Sequence, residues 1–189
     1  MGLFYKPSPK ERFDARVDIF EKNGIPALER NGFIRGPYKG MRFGEYDAGA
    51  RVYDLCRLTE SAQLEIITTY ISKKDRYIQV HLNIFALKPP PEFLEQLRGL
   101  DCIDFYMMPN RLNMMRLRLD DFKGMPLFRM VEHKIKRFYT KRGFQKRVAQ
   151  LRQLMETDLT NINSFVTRWH ELHQPIITNW EGKEIDITG

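Results

Sequence analysis

The chain has 189 residues, 42% of them hydrophobic and 29% charged, with two cysteines and a formal net charge of +7. That length suits one domain able to bury its own core, and the composition argues against extensive disorder. Cys56 and Cys102 form no C-x-x-C pair, so a zinc framework or a secreted disulfide scaffold is not indicated and free thiols are expected. No apolar run approaches the 18 or so residues of a membrane helix, and Lys6 stands where a myristoylation signal needs Ser or Thr, so no membrane partner is expected. The cytoplasm is the expected compartment.

In chain order, Ser8 caps a short helix whose stripe is Phe13, Val17 and Phe20, with Gly24 as its expected stop. Pro26 opens a second short helix and Gly32 closes it. Residues 36–49 read as a loop or an edge, with a weak strand over 41–46. Three clearer strands follow at 50–58, 63–72 and 76–87, joined by short polar turns as an antiparallel meander. The third alternates cleanly: Ile78, Val80, Leu82, Ile84 and Ala86 share one face, and Tyr77, Gln79, His81, Asn83 and Phe85 share the other.

Pro89 to Pro91 stop that strand, and a short helix over 92–98 ends at Gly99. Residues 102–107 and 114–119 read as two further strands, for a sheet of about five. From Pro126 the period becomes helical: Leu127, Val131, Ile135 and Phe138 form a stripe ended by Gly143. A longer stripe from Phe144 through Leu151, Met155, Leu159, Ile162 and Trp169 to His173 predicts one long helix or two nearly collinear ones. The tail, 176–189, is either a hairpin about Glu181-Gly182 or a loose terminus. The fold class expected is α+β: an antiparallel meander sheet with short N-terminal helices and two C-terminal helices, the last one long, packed on one face of a single domain.

The positive charge is concentrated. Between Arg129 and Arg152 nine basic residues face one acid, Glu132, which leaves the rest of the chain at −1. On the predicted helices, Lys134, Arg137, Lys141, Lys146 and Arg147 point away from the apolar stripe and are the candidate contacts for an anionic partner. That partner is either nucleic acid or an acidic protein surface. Arg142-Gly143-Phe144 resembles the opening of an RNA-recognition signature, but Gln145-Lys146 breaks the match.

A second constellation is the polar strand face. Gln79, His81 and Asn83, flanked by Tyr77 and Phe85, offer amide and imidazole groups between two rings, as a small-ligand or enzyme pocket would. His170-Glu171-Leu172-His173 is one residue short of the zinc-protease helix, so no metal site is assigned and no cofactor is expected. No phosphate-binding glycine loop or nucleophile elbow occurs, and Asp54, Glu65, Asp101, Asp104, Asp120 and Asp121 are too scattered to define a magnesium site. Six methionines between Met107 and Met130 suit either core gaps or an adaptable surface.

Three functions follow from these features. The first is a non-enzymatic binding module using the basic helices of 127–152. The second is a homo-oligomeric scaffold, such as a dimer, in which the long C-terminal stripe meets a second copy. The third is an enzyme or ligand binder on the Gln79/His81/Asn83 face.

Overall fold

The computed structural model describes residues 5–47, 49–122 and 132–186. At the N-terminus, Ser8 Oγ accepts from Glu11 N at 3.0 Å and Pro9 occupies the first turn of α1, Pro9–Ile19. The expected stop at Gly24 does not occur. The chain continues through a π-turn, Phe20–Gly24, into α2, Ile25–Glu29. Gly24 serves close packing instead: a Cβ there would lie 2.5 Å from the Phe20 ring and 3.2 Å from Leu159. Gly32, at φ +80°, closes the helical segment as its left-handed conformation permits.

The sheet is built on the predicted meander. Strands β1 (Ile34–Arg35) and β2 (Phe43–Asp47) both pair with β3 (Ala50–Leu58), which pairs antiparallel with β4 (Gln63–Ser72). Strand β4 pairs antiparallel with β5 (Ile78–Leu87), placing Thr68 opposite His81 and Tyr70 opposite Gln79. On the far side, β5 carries the antiparallel pair β6 (Met115–Arg116) and the parallel β7 (Ile176–Thr178). The two extra strands predicted beyond the meander are largely corrected. Residues 103–106 form a 3₁₀ turn entered through Cys102 at φ +54°, and only Met115 and Arg116 of the second become strand.

Period-two alternation gives the sheet two different faces. Ile78, Val80, Leu82 and Ile84 meet α1, α2 and the C-terminal helices in one core. Cys56, Leu64, Ile66 and Phe85 form a second core with Leu94, Leu97 and Phe105 from the turns that cross the opposite face. Beyond that core the second face is polar. The architecture is α+β, with the α-helices of the described residues on the first face and short 3₁₀ turns on the second.

The largest correction concerns the basic segment. Leu127 and Val131 lie outside the described residues, but 132–138 is extended and not helical. Ile78 N donates to His133 O at 2.9 Å, and Lys134 bridges Tyr77, so this stretch satisfies the start of β5. Helix α3, Lys141–Thr160, begins only after Thr140, whose Oγ1 accepts from Gly143 N at 2.9 Å. Gly143 therefore sits inside a first turn and ends nothing. After Asn161 the chain enters α4, Ile162–Leu172, so the long stripe is divided between two helices. Of that stripe, Leu151, Met155, Leu159, Ile162 and Trp169 are buried in the chain's own core, with α3 packed on α1, the π-turn and α2, and α4 packed on β5. No helix of the described residues is long and apolar enough to cross a membrane.

Candidate functional site

Two polar hollows flank the β4–β5 turn. The first, of about 590 Å³, lies where the N-terminal lead, that turn and the extended 135–138 segment converge. The lead and α1 contribute Lys6, Arg12 and Arg16, and the turn contributes Lys73, Lys74 and Arg76. Lys136 and Arg137 complete a set of eight cations, against which the single lining carboxylate is Asp75. Its oxygens are already engaged: Oδ1 accepts from Arg76 N, and Oδ2 from the Gln79 amide.

The local fold explains why these cations meet. Arg16 is only 2% exposed and spends its guanidinium on the carbonyls of Ser72, Asp75 and Tyr77, locking the turn against α1. Burial lowers its pKa from the usual arginine value, with Arg12 acting in the same direction and Asp75 opposing. Tyr5 N donates to Tyr139 O at 2.9 Å, which ties the lead to the 135–138 segment. Arg12 lies 5.9 Å above the Phe138 ring, and its buried Nε has no hydrogen-bond partner among the described residues. Tyr5, Phe138 and Pro7 supply the apolar part of the wall. The result is a concave surface of one charge sign with rings in it, which attracts an anion and can stack a planar group.

The five cations expected from sequence are dispersed. Arg137 lines this hollow, while Lys134 turns its ammonium over the Tyr77 ring, 6.0 Å from the centroid. Arg147 donates to Arg137 O at 3.1 Å and to the Gln150 side chain. Together with Lys134, Arg147 lines a separate depression of about 420 Å³. Lys141 and Lys146 are exposed on α3. One helical face carrying all five does not exist, because 132–138 is extended and sends neighbouring side chains to opposite sides. Lys6, Lys73, Lys74 and Arg76 were not signalled by sequence, since none lies in a run of cations long enough to raise the local charge.

The second hollow, of about 370 Å³, opens on the polar part of the second sheet face. Of the five strand residues expected there, Gln79 and His81 line it. Phe85 is buried against Phe105, at 4.7 Å between ring centroids, and Asn83 is buried with its amide donating to Asn110 O. Tyr77 lies beneath Arg116, 5.4 Å from its guanidinium. Alternation placed all five on one face, but the crossing turn 103–113 covers the end that carries Asn83 and Phe85.

Around this hollow Asp54 is fully buried and takes four hydrogen bonds. Arg42 donates through N, Nε and Nη2 at 3.1, 2.8 and 3.2 Å, and Thr68 donates through its hydroxyl at 2.8 Å. The same guanidinium stacks 4.5 Å from the Tyr106 centroid and 5.8 Å from that of Tyr46. Burial and the guanidiniums of Arg116 and Arg111, opposed by Asp120, hold the His81 imidazole down at about 4, so it is neutral at pH 7.

Both cysteines are buried and free, and burial pushes the Cys102 thiol up to about 12 and the Cys56 thiol higher, so neither is a ready nucleophile. His170 and His173 each pack 5.3 Å from the Trp169 ring. Among the described residues no group of three or more His, Cys, Asp or Glu side chains is placed to hold a metal ion. Met115 is buried while Met107 and Met108 are exposed, so the methionine cluster divides between core and surface.

No protein-family model, no curated protein and no solved structure matches the chain. The fold and its surface define an α+β domain with two adjacent polar hollows, one strongly basic.

Proposed function

We propose that this chain is a binding module for an extended polyanion, with a nucleic-acid strand as the ligand whose chemistry best suits the basic hollow. The observation that carries this reading is the convergence of eight cations from three chain segments around one concavity with a single, already engaged carboxylate. Lys6, Lys74, Arg76, Lys136 and Arg137 form no ion pair among the described residues, so a ligand phosphate competes with water and not with a protein carboxylate. The Tyr5 and Phe138 rings favour a nucleic acid over an acidic protein, because bases stack on such rings and carboxylate side chains do not.

The test is a salt titration of binding to labelled single- and double-stranded oligonucleotides, with poly-glutamate as the competing polyanion. Wild type is expected to lose affinity linearly in log–log coordinates as salt rises. The triple variant Lys74→Ala/Arg76→Ala/Arg137→Ala is expected to shallow that slope by about 2. Absence of salt-dependent binding, a triple variant identical to wild type, or equal displacement by poly-glutamate would each overturn the nucleic-acid reading. The stripe that suggested a homo-oligomeric scaffold packs into the chain's own core, so the polyanion reading is the one carried forward.

A further inference from the structure

The second hollow is a different kind of place from the basic one. It is bounded by β-sheet on its floor, and its walls carry tyrosine rings at Tyr46, Tyr70 and Tyr106. A volume of about 370 Å³ falls at the small end of ligand pockets, enough for one or two fused rings.

Its hydrogen-bonding character is unbalanced. Arg42 and Arg111 both line it, and Asp54 beneath is saturated by Arg42 and Thr68. Asp75, the next carboxylate along the sheet, is taken by Gln79 and Arg76 N. Arg42 turns Nε and Nη2 toward Asp54 and leaves Nη1 without a protein acceptor among the described residues. Arg111 has no side-chain acceptor among them either. The neutral His81 ring and the Tyr70 hydroxyl add two more groups able to donate. Such a site sets two guanidiniums among its lining residues with no carboxylate beside them, so it selects a ligand that brings negative charge.

We infer that this sheet-face hollow is a binding site for a small planar aromatic carboxylate, its ring held among Tyr46, Tyr70 and Tyr106 and its carboxylate directed to Arg42 and Arg111. A neutral nucleobase is disfavoured because it brings no negative charge to the two guanidiniums. An inorganic anion would use the guanidiniums but leave the three rings without a partner. Arg42 is preorganised for the task, since Asp54 fixes its plane and Tyr106 supports its face before any ligand arrives. The site is separate from the basic hollow, with which it shares no lining residue.

The experiment uses 2-naphthoate as probe, with naphthalene-2-carboxamide and inorganic phosphate as comparators, read by calorimetry and by amide chemical shifts. Naphthoate is expected to bind 1:1 and to shift the amides of Thr68, Tyr70, Gln79 and His81, with the carboxamide weaker by about ten-fold or more. Arg111→Ala, at an exposed side chain, is expected to raise the naphthoate Kd by about ten-fold. Met114→Trp fills the hollow and should abolish the shifts, and matching unfolding midpoints show that both variants fold. Lys74→Ala, in the basic hollow, is expected to leave naphthoate binding unchanged, which separates this inference from the polyanion reading. No binding, equal affinity for the carboxamide, displacement by equimolar phosphate, or an Arg111→Ala variant that binds normally would overturn it.

Discussion

His133 Nε2 and Asp158 Oδ2 share a hydrogen bond of 2.8 Å, and each side chain is 2% exposed. Arg118 completes the arrangement, donating to both Asp158 oxygens at 2.9 and 2.6 Å. Burial works to raise the Asp158 carboxyl, and the bonds from His133 and Arg118 outweigh it and hold the carboxyl below its usual value. This cluster fastens the extended segment to α3, while the His133 carbonyl receives Ile78 N from the sheet. It is the joint between the two layers.

Asp158→Ala should therefore cost about 3 kcal/mol, because it leaves a buried imidazole and a guanidinium without their acceptor. Urea unfolding followed by circular dichroism measures it. The same link weakens in acid: the contribution is full above the unfolded carboxyl value of about 3.9 and disappears as pH falls through the lower folded one. An unfolding free energy for Asp158→Ala within about 0.5 kcal/mol of wild type would mean that the joint is held by packing alone.

His81 makes a second pH-dependent contribution of definite sign. Its folded value of about 4 lies below the ordinary 6.5, so the unfolded chain binds more protons between them. Stability from this group is full above pH 6.5 and is lost as pH falls toward 4, by roughly 2 kcal/mol or more. Imidazole proton shifts should titrate near 4, and His81→Gln should remove that part of the pH dependence. A His81 midpoint above 6 would show that the hollow is wetter and less positive than its lining implies.

Within the basic hollow, position matters more than membership of the basic run. Arg76→Ala is expected to weaken oligonucleotide binding by about five-fold at low salt, whereas Lys146→Ala, exposed on α3, should change it by less than about two-fold. Fluorescence anisotropy distinguishes the two. Equal losses would return the binding surface to the helix.

Gly182 tests how the tail is attached. It has φ +96°, a Cβ there would lie 2.5 Å from Phe105 N, and its carbonyl accepts from the Asn110 amide. Gly182→Ala combines backbone strain with a clash against main chain, so it should cost about 2 kcal/mol. In a chain of this size that lowers the thermal midpoint by about 4 °C or more. Retention of the wild-type midpoint would mean that the turn can lift away without loss.

The three long strands were legible because alternation is a local property: Ile78, Val80, Leu82 and Ile84 announce a buried face with no knowledge of what covers it. The C-terminal stripe was legible for the same reason, and Ser8 announced α1 through its capping chemistry. The stretch from Leu127 to Phe138 misled because spacing of three and four admits a helix but cannot reveal a competing partner. Within its described part, the free amide of Ile78 and the buried carboxylate of Asp158, 55 and 25 residues away from His133, made an extended conformation the better satisfied one.

The same division applies to the sites. Sequence by itself determined the α+β class, the meander, the two-faced third strand and the presence of surplus positive charge, since each depends on residue type and period within a short window. Only the tertiary structure decided where that charge acts. Arg16 draws the β4–β5 turn to α1, Tyr5 ties the lead to the extended segment, and Lys6, Lys74 and Arg137 become neighbours although no two are near in sequence. A field is set by distances in space, and those distances are fixed by buried hydrogen bonds that no local pattern encodes.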